Sequence, residues 1–418
     1  MSRKVFLSFL GANNYKECVY TTEGKESRVV KYVQNAVIDL LASDFDVYYI
    51  FCTEKAYDTH FASLQAESNK KLDVVQIPEG FSESEIWTIF SSVFDKLEVG
   101  DEILYDITHS FRSLPMLGIT LLQYAKFLKD IRVRGIYYGV FETLGPSYDI
   151  DNRFPDPKDR KVPLLNLTAF SLIQDWTIAA NNFIKFGNAQ MMGELTKEGL
   201  TPILSESKGK HMEAATLNGL SIQLQTFAEE HRTNRGRRII EGKAANKAVE
   251  YIDNIQTYSL IPPFFPIVNY VKSTLQQYSD NSIKNIFFAI QWCIEKELPQ
   301  QGFTQLQEGI ITILCDKVGL DYTMESNRNL VSSYLSVRFF KPEEEWKGEL
   351  IQETYKPYVH LLNEIDKIKD LASVYDSISK KRNDINHGGF TESAKHFSFM
   401  NDLKKYFHEF KQILNLEY

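Results

Sequence analysis

The stretch Glu102-Ile103-Leu104-Tyr105-Asp106-Ile107-Thr108-His109-Ser110-Phe111-Arg112-Ser113-Leu114-Pro115 decides how the first part of this chain reads. It begins as an apolar run of strand length, rich in β-favouring residues. It ends by opening a helix, with Pro115 in the first turn, where a missing N–H costs little. Between the two, Thr, His, Ser and Arg crowd a strand-to-helix turn. In doubly wound sheets ligands bind at such turns, outside the carboxyl ends of strands. The free N–H groups of a helix start favour an anion there, and Arg112 can grip a phosphate through two parallel hydrogen bonds.

Outward from this turn the same alternation continues. Val5–Leu10, Asp46–Cys52, Leu72–Ile77 and Ile131–Phe141 join Glu102–Ile107 as expected strands. Val29, Val33, Ala36, Val37, Leu40 and Leu41 recur at helical spacing, and Ser82 with Glu85 makes a capping box before a second amphipathic helix. Strands alternating with helices predict a parallel, doubly wound, Rossmann-like α/β domain. A second polar turn, Leu10-Gly11-Ala12-Asn13-Asn14-Tyr15, follows the first strand. Gly11 permits close backbone approach, and Asn13 and Asn14 offer paired donors and acceptors. Neither a G-x-G-x-x-G fingerprint nor a P-loop is present. Two other readings of the later turn stand beside anion binding. Thr108 and Ser110 can be helix caps with His109 solvated, or His109 can work with Asp106 in proton transfer.

Past about residue 150 the period changes. Asp149–Pro163 holds three prolines among charges and reads as a hinge. From Leu164 onward nearly every segment reads as helix. The apolar stripes are Leu217, Leu220, Leu224 and Phe227; Ile283, Ile286, Phe287 and Ile290; Leu306, Ile310 and Ile313; and Leu403, Phe407, Phe410 and Leu414. The expected division is an α/β domain over 1–160 and an all-α domain over 161–418.

Within the helical part, Arg382-Asn383-Asp384-Ile385-Asn386-His387-Gly388-Gly389 stands out at a helix end stopped by two glycines. Lys380 and Lys381 precede it and make the local field positive. An imidazole titrates near neutrality and moves protons, while a guanidinium stabilises charge on phosphorus. Those are the parts needed for metal-free RNA cleavage by the ribose 2′-hydroxyl. The competing reading is a cationic helix terminus that complements the dipole, with glycine as cap. The run His231-Arg232-Thr233-Asn234-Arg235-Gly236-Arg237-Arg238 reads as a solvated inter-helix turn in preference to an RNA groove. His396 and His408 read as surface or core residues in preference to metal ligands.

Composition bounds these readings. A length of 418 residues suits two or three domains, and 43% apolar with 24% charged residues suits a folded chain. A net charge of −8 argues against coating duplex DNA, yet leaves room for a local basic pocket for RNA. Cys18, Cys52, Cys293 and Cys315 form no C-x-x-C pair, which argues against a zinc knuckle or dithiol site and fits a reducing compartment. No apolar stretch is long enough to span a membrane, and the short run after Met1 is no signal peptide, so a cytoplasmic location is expected.

The first strand with its polar turn and the later D-I-T-H-S-F-R-S-L-P resemble the CRISPR-associated Rossmann-fold (CARF) sensor family. The match keeps Asp106, Thr108, His109, Phe111, Arg112 and Pro115 and departs at Ser110, where the family usually has Gly. Arg382-Asn383 with His387 resembles the HEPN ribonuclease signature, and Trp292 to Glu308 resembles the helices that precede it. Together the chain resembles the CARF–HEPN ancillary ribonucleases of type III CRISPR systems. The resemblance implies a homodimer that binds cyclic oligoadenylate as allosteric activator through Gly11, Asn13, Asn14, Thr108, His109, Ser110 and Arg112. It further implies metal-free cleavage of single-stranded RNA in antiviral defence by Arg382, Asn383 and His387, with a 2′,3′-cyclic phosphate left behind and no cofactor. A non-enzymatic sensor or transcription regulator is the alternative, as is a sensor pocket that degrades its own activator.

Overall fold

Strand β1 (Lys4–Leu10) is apolar on both faces because both faces are covered. Phe6 and Leu10 enter one core with the helix Val33–Leu41, while Val5, Leu7 and Phe9 enter another with the helices Glu83–Phe94 and Leu114–Lys129. A strand buried twice reads as an unbroken apolar run, which is why this one was legible. The computed structural model describes residues 2–109, 114–255, 265–390 and 395–415. The chain divides into two units, Met1–Gln174 and Asp175–Tyr418.

The first unit holds one eight-stranded sheet of order β3-β2-β8-β7-β6-β1-β4-β5. Here β2 is Val19–Thr22, β3 Lys25–Glu26, β4 Val47–Cys52, β5 Asp73–Gln76, β6 Glu102–Asp106, β7 Arg132–Gly139 and β8 Lys161–Asn166. The block β7-β6-β1-β4-β5 is parallel with helices on both faces, as expected. After β1 the chain first lays β2 and β3 at the far edge, then adds β4 and β5 on one side of β1 and returns to its other side for β6 and β7. The strand order therefore reverses between β1 and β6.

Two expectations are corrected. The sheet is mixed, not wholly parallel: β8 lies antiparallel to β7 and parallel to β2, and β3 closes an antiparallel edge. Pro163 sits inside β8, where a missing N–H ordinarily argues against an inner strand, and β2 and β3 are too short to show alternation. The segment 149–163 is no hinge either. Arg160 is buried, donates to the Phe154 and Glu17 carbonyls and pairs with Asp151 at 2.9 Å, so it ties this segment down. The two units meet at 174/175, whereas the expected division lies at 160/161.

The second unit is helical among its described residues. The expected stripes are buried on Met212–Arg232, Asn285–Glu295, Pro299–Lys317 and Ser398–Ile413, with Ile283 half-buried at the margin. Gly242 joins two helices in a left-handed conformation at φ 68°, and an added Cβ would meet the Ser279 carbonyl oxygen at 2.4 Å. Buried Gln307 donates to Tyr375 Oη and Ser379 Oγ at 3.2 and 3.0 Å, which fixes the helix Ile368–Asn386 against Pro299–Lys317. Among the described residues no helix is long and apolar enough to cross a membrane.

His231 is fully buried in this unit. Its Nδ1 lies 2.8 Å from the Phe227 carbonyl and its Nε2 3.0 Å from Tyr278 Oη. A carbonyl only accepts, so Nδ1 carries the proton and Nε2 accepts from the tyrosine. Burial pushes this imidazole down to about 4. The unfolded chain takes up the proton near pH 6.5 while the folded chain resists until about 4, so stability falls as pH drops through that window. At pH 5 the loss is on the order of 2 kcal/mol from this one group. Thermal melts of wild type and His231→Gln at pH 7 and pH 5 check this, with a smaller acid-induced drop in the variant.

Candidate functional site

The register Ser8↔Asp106 sets the carboxyl ends of β1 and β6 side by side, so the two polar turns meet at the point where strand order reverses. Asp106 is wholly buried at the end of β6. Its Oδ2 accepts from Ser8 Oγ at 2.7 Å, and its Oδ1 from Thr108 N and Oγ1 at 3.0 and 2.6 Å. Burial raises its pKa, and the bonds from Thr108 and Ser8 oppose that. The Thr108 hydroxyl also accepts from Gly139 N–H at 2.8 Å on β7. Asp106 and Thr108 are therefore a clasp holding the turn, and no bond joins Asp106 to His109 among those described. This geometry does not assemble the Asp106–His109 proton-transfer pair. Thr108→Val would leave the buried carboxylate and the Gly139 N–H each short of a partner. We expect a loss of about 1–3 kcal/mol of stability, read by urea denaturation.

Gly11 lies against His109: a Cβ on Gly11 would stand 3.6 Å from the His109 carbonyl oxygen and 3.8 Å from its Cβ. Tyr15 folds back over this junction. Its hydroxyl accepts from Gly11 N–H at 2.9 Å and donates to the Gly11 carbonyl at 3.1 Å, and its ring meets His109 edge-on at 4.5 Å. His109 is half-buried, with Nε2 shut away from solvent and without a hydrogen-bond partner among the described residues. Burial holds this imidazole at about 4, so it is neutral at pH 7. It can offer a polar ligand one neutral donor or acceptor, and no positive charge. Asn13 and Asn14 are exposed beside it. Ser110 and Arg112, the remaining expected contacts, lie outside the described residues.

Two residues that sequence reasoning missed complete this cluster. His60, on a π-helical turn Tyr57–Phe61, is buried and meets the Tyr15 ring edge-on at 4.9 Å; Tyr32 approaches Tyr15 at the same distance. Burial holds the His60 pKa below its ordinary value against the upward pull of the Asn13 and Ala12 carbonyls, and its Nε2 completes no hydrogen bond among the described residues. Two neutral imidazoles with unmet hydrogen-bonding capacity thus flank one tyrosine at the strand ends. Buried polar atoms are normally paired, so a site with two unpaired ones is poised for a polar ligand.

In the second unit, Arg382 and Asn383 occupy the last turn of the helix Ile368–Asn386, and His387 caps it. Gly388 and Gly389 are left-handed at φ 66° and 69°, and their N–H groups return to the Ile385 and Asp384 carbonyls at 3.1 and 3.0 Å. The cap is thus complete on backbone bonds. Asn383 and His387 are exposed, while Arg382 is half-buried with its Nε shielded and unpartnered among the described residues. Five residues at 3.6 per turn set Arg382 and His387 about 140° apart around the axis, so one helix end does not converge them. The expected positive field is weaker than the sequence suggested. Lys380 pairs with Asp376 at 2.8 Å and Lys381 with Asp402 at 2.7 Å.

No family model matches the chain. It is similar to a CRISPR-associated protein of Methanocaldococcus jannaschii, with 22% identity over 359 residues that cover 84% of this chain and 48% of the relative. The chain therefore spans about half the length of that curated relative. Enterococcus italicus Csm6 bound to cyclic hexa-2′-fluoro-hexa-dAMP aligns over 99% of this chain and 94% of that chain, at 9% identity and a TM-score of 0.38. A likeness that faint carries no weight for site or chemistry. The similarity to a CRISPR-associated protein agrees with the resemblance read from the two motifs.

Proposed function

We propose that this chain is a CRISPR-associated endoribonuclease whose strand-end site binds cyclic oligoadenylate and whose helix end Arg382-Asn383-His387 cleaves single-stranded RNA. The observation that carries the reading is that helix end: an exposed imidazole and a half-buried guanidinium whose Nε has no partner among the described residues, on a cap that needs neither side chain for its closure. The resemblance to HEPN ribonucleases assigns those residues the chemistry. Because Arg382 and His387 diverge on one helix, a homodimer in which two such ends face each other is the economical way to surround a phosphate.

In the reaction the RNA 2′-oxygen attacks the adjacent phosphorus and the 5′-oxygen leaves. The proton lost by the 2′-hydroxyl is balanced by the proton gained by the departing oxygen, and His387 serves this exchange. Arg382 meets the charge that builds on the phosphoryl oxygens, and Asn383 orients the phosphate. The step needs no metal. Mass spectrometry of products made in EDTA is expected to show 2′,3′-cyclic phosphate and 5′-hydroxyl ends; 3′-hydroxyl and 5′-phosphate ends would refute it.

At the sensor end, neutral His109 can contribute only a neutral hydrogen bond, so Arg112 supplies the charge that meets a phosphate. Arg112→Ala is expected to shift half-maximal activation by ten- to a hundredfold, the equivalent of a charged hydrogen bond of about 1.5–3 kcal/mol. His109→Ala is expected to shift it less. At saturating activator both variants should regain the wild-type cleavage rate, since the ligand acts only through its differential affinity for two states. Activation curves for the two variants measure this.

A further inference from the structure

The basic run at residues 231–238 forms one wall of a cleft within the second unit. This cleft of about 420 Å³ lies between that run, the helix Pro299–Lys317 and the segment around Tyr322 and Arg328. Its volume falls in the range of small-ligand sites. Gln305 Nε2 donates to Asn234 Oδ1 at 3.2 Å across its floor, and Thr323 adds a hydroxyl. Gly236 leaves the wall open, since a Cβ there would meet nothing within 4 Å. Tyr322 also lines the cleft, half-buried and packed against the helical core. Arg328 binds Glu308 Oε2 at 2.6 Å, so the charges inside the cleft neutralise each other.

Further positive charge lies at and beside the rim, partly offset by Glu241 and Asp321. Arg235 is exposed on the adjoining groove beside Glu229 and Glu230, and its Nε donates to the neutral Thr233 hydroxyl at 3.1 Å. Arg237 has a side chain 78% exposed, and its contact with Glu241 is 3.5 Å long. Glu241 is shared with Arg238 and Lys243, so it offsets only part of the Arg237 charge. The cleft is also tied to the candidate catalytic helix end. Gln300 Nε2 donates to Asn386 Oδ1 at 3.3 Å, and Asn386 immediately precedes His387. The next residue, Gln301, donates to the Arg232 carbonyl at 3.3 Å. Three glutamines on the first turns of one helix therefore join the helix end, the basic run and the cleft.

We infer that this cleft holds a nucleotide of the single-stranded RNA next to the scissile phosphate, with Arg235 and Arg237 on the strand's phosphates and Tyr322 against a base. The inference rests on the endoribonuclease reading above. It uses the combination by which proteins hold single strands, a basic track beside an aromatic platform. In a chain of net charge −8, a polyanion needs such a local track.

The test is fluorescence anisotropy of a labelled single-stranded RNA oligonucleotide with the full chain carrying His387→Ala, at graded salt. Adding Arg235→Ala and Arg237→Ala is expected to weaken binding about tenfold at low salt. The log–log salt slope should flatten by about 1.4, because each phosphate contact on a single strand contributes about 0.7. Tyr322→Leu is expected to weaken binding on the order of fivefold with no change of slope. Circular dichroism melts matching the parent show that each variant is folded. An unchanged affinity and slope in the arginine variant would overturn the inference. So would no RNA binding by the parent, or duplex DNA bound as tightly and weakened equally. Cleavage by wild type is scored separately: RNA bound through these arginines but never cut refutes the endoribonuclease reading and leaves the cleft standing.

Discussion

Replacing His387 by alanine should lower RNA cleavage by about 10²–10⁴-fold, the usual contribution of a positioned acid–base group. The helix should survive the change. The turn that ends it is closed by the N–H groups of Gly388 and Gly389, and His387 itself contributes its backbone N–H to the Asn383 carbonyl at 2.8 Å, which alanine keeps. The imidazole is exposed, so its removal opens no cavity. Activator affinity should stay at the wild-type value, because the strand-end site is built from residues of the other unit. Rate and melting temperature, measured on the same preparation, separate the two roles. A full cleavage rate in the variant would leave His387 as a helix cap and nothing more.

Arg382→Lys should be nearly as damaging, although it keeps the positive charge. Lysine presents a point charge on a flexible stem, whereas the guanidinium is a planar fork that spans two phosphoryl oxygens. Its Nε is shielded and has no hydrogen-bond partner among the described residues, so no other bond of this group accounts for its presence there. If Arg382 served only the negative end of the helix dipole, lysine would serve as well, at a difference of a few tenths of a kcal/mol. Single-turnover cleavage with saturating RNA distinguishes the cases: a loss in rate at unchanged stability assigns Arg382 to phosphate chemistry.

How much of this was legible in the sequence differs by element. β1, β4 and β6 are buried on both faces, so their apolar runs announced them; β8 was hidden because Pro163 interrupts the pattern by which a strand is read. The two polar turns were legible as strand ends where ligands gather, but that Gly11 meets His109 is set by the strand order of the fold. The role of Thr108 did not. A threonine after a strand can cap, bind or clasp, and only the contact with Gly139, 31 residues on, decides for the clasp. His60 and Tyr32 carry no local signal at all, since their meeting with Tyr15 is made by the fold. The run 231–238 is the largely exposed inter-helix turn that the sequence reads, but that it walls a cleft with Gln305 has no local signal, because the second wall lies some 70 residues away.

The central claim is that one ligand at the strand ends governs one Arg–His centre. The most direct measurement is the rate at which wild-type protein cleaves labelled single-stranded RNA in EDTA across a titration of each cyclic oligoadenylate. The account predicts a low basal rate that rises and saturates with one ring size, and no such rise in the His387→Ala variant. A rate that is the same at every concentration of every ring, whether zero or high, would contradict it.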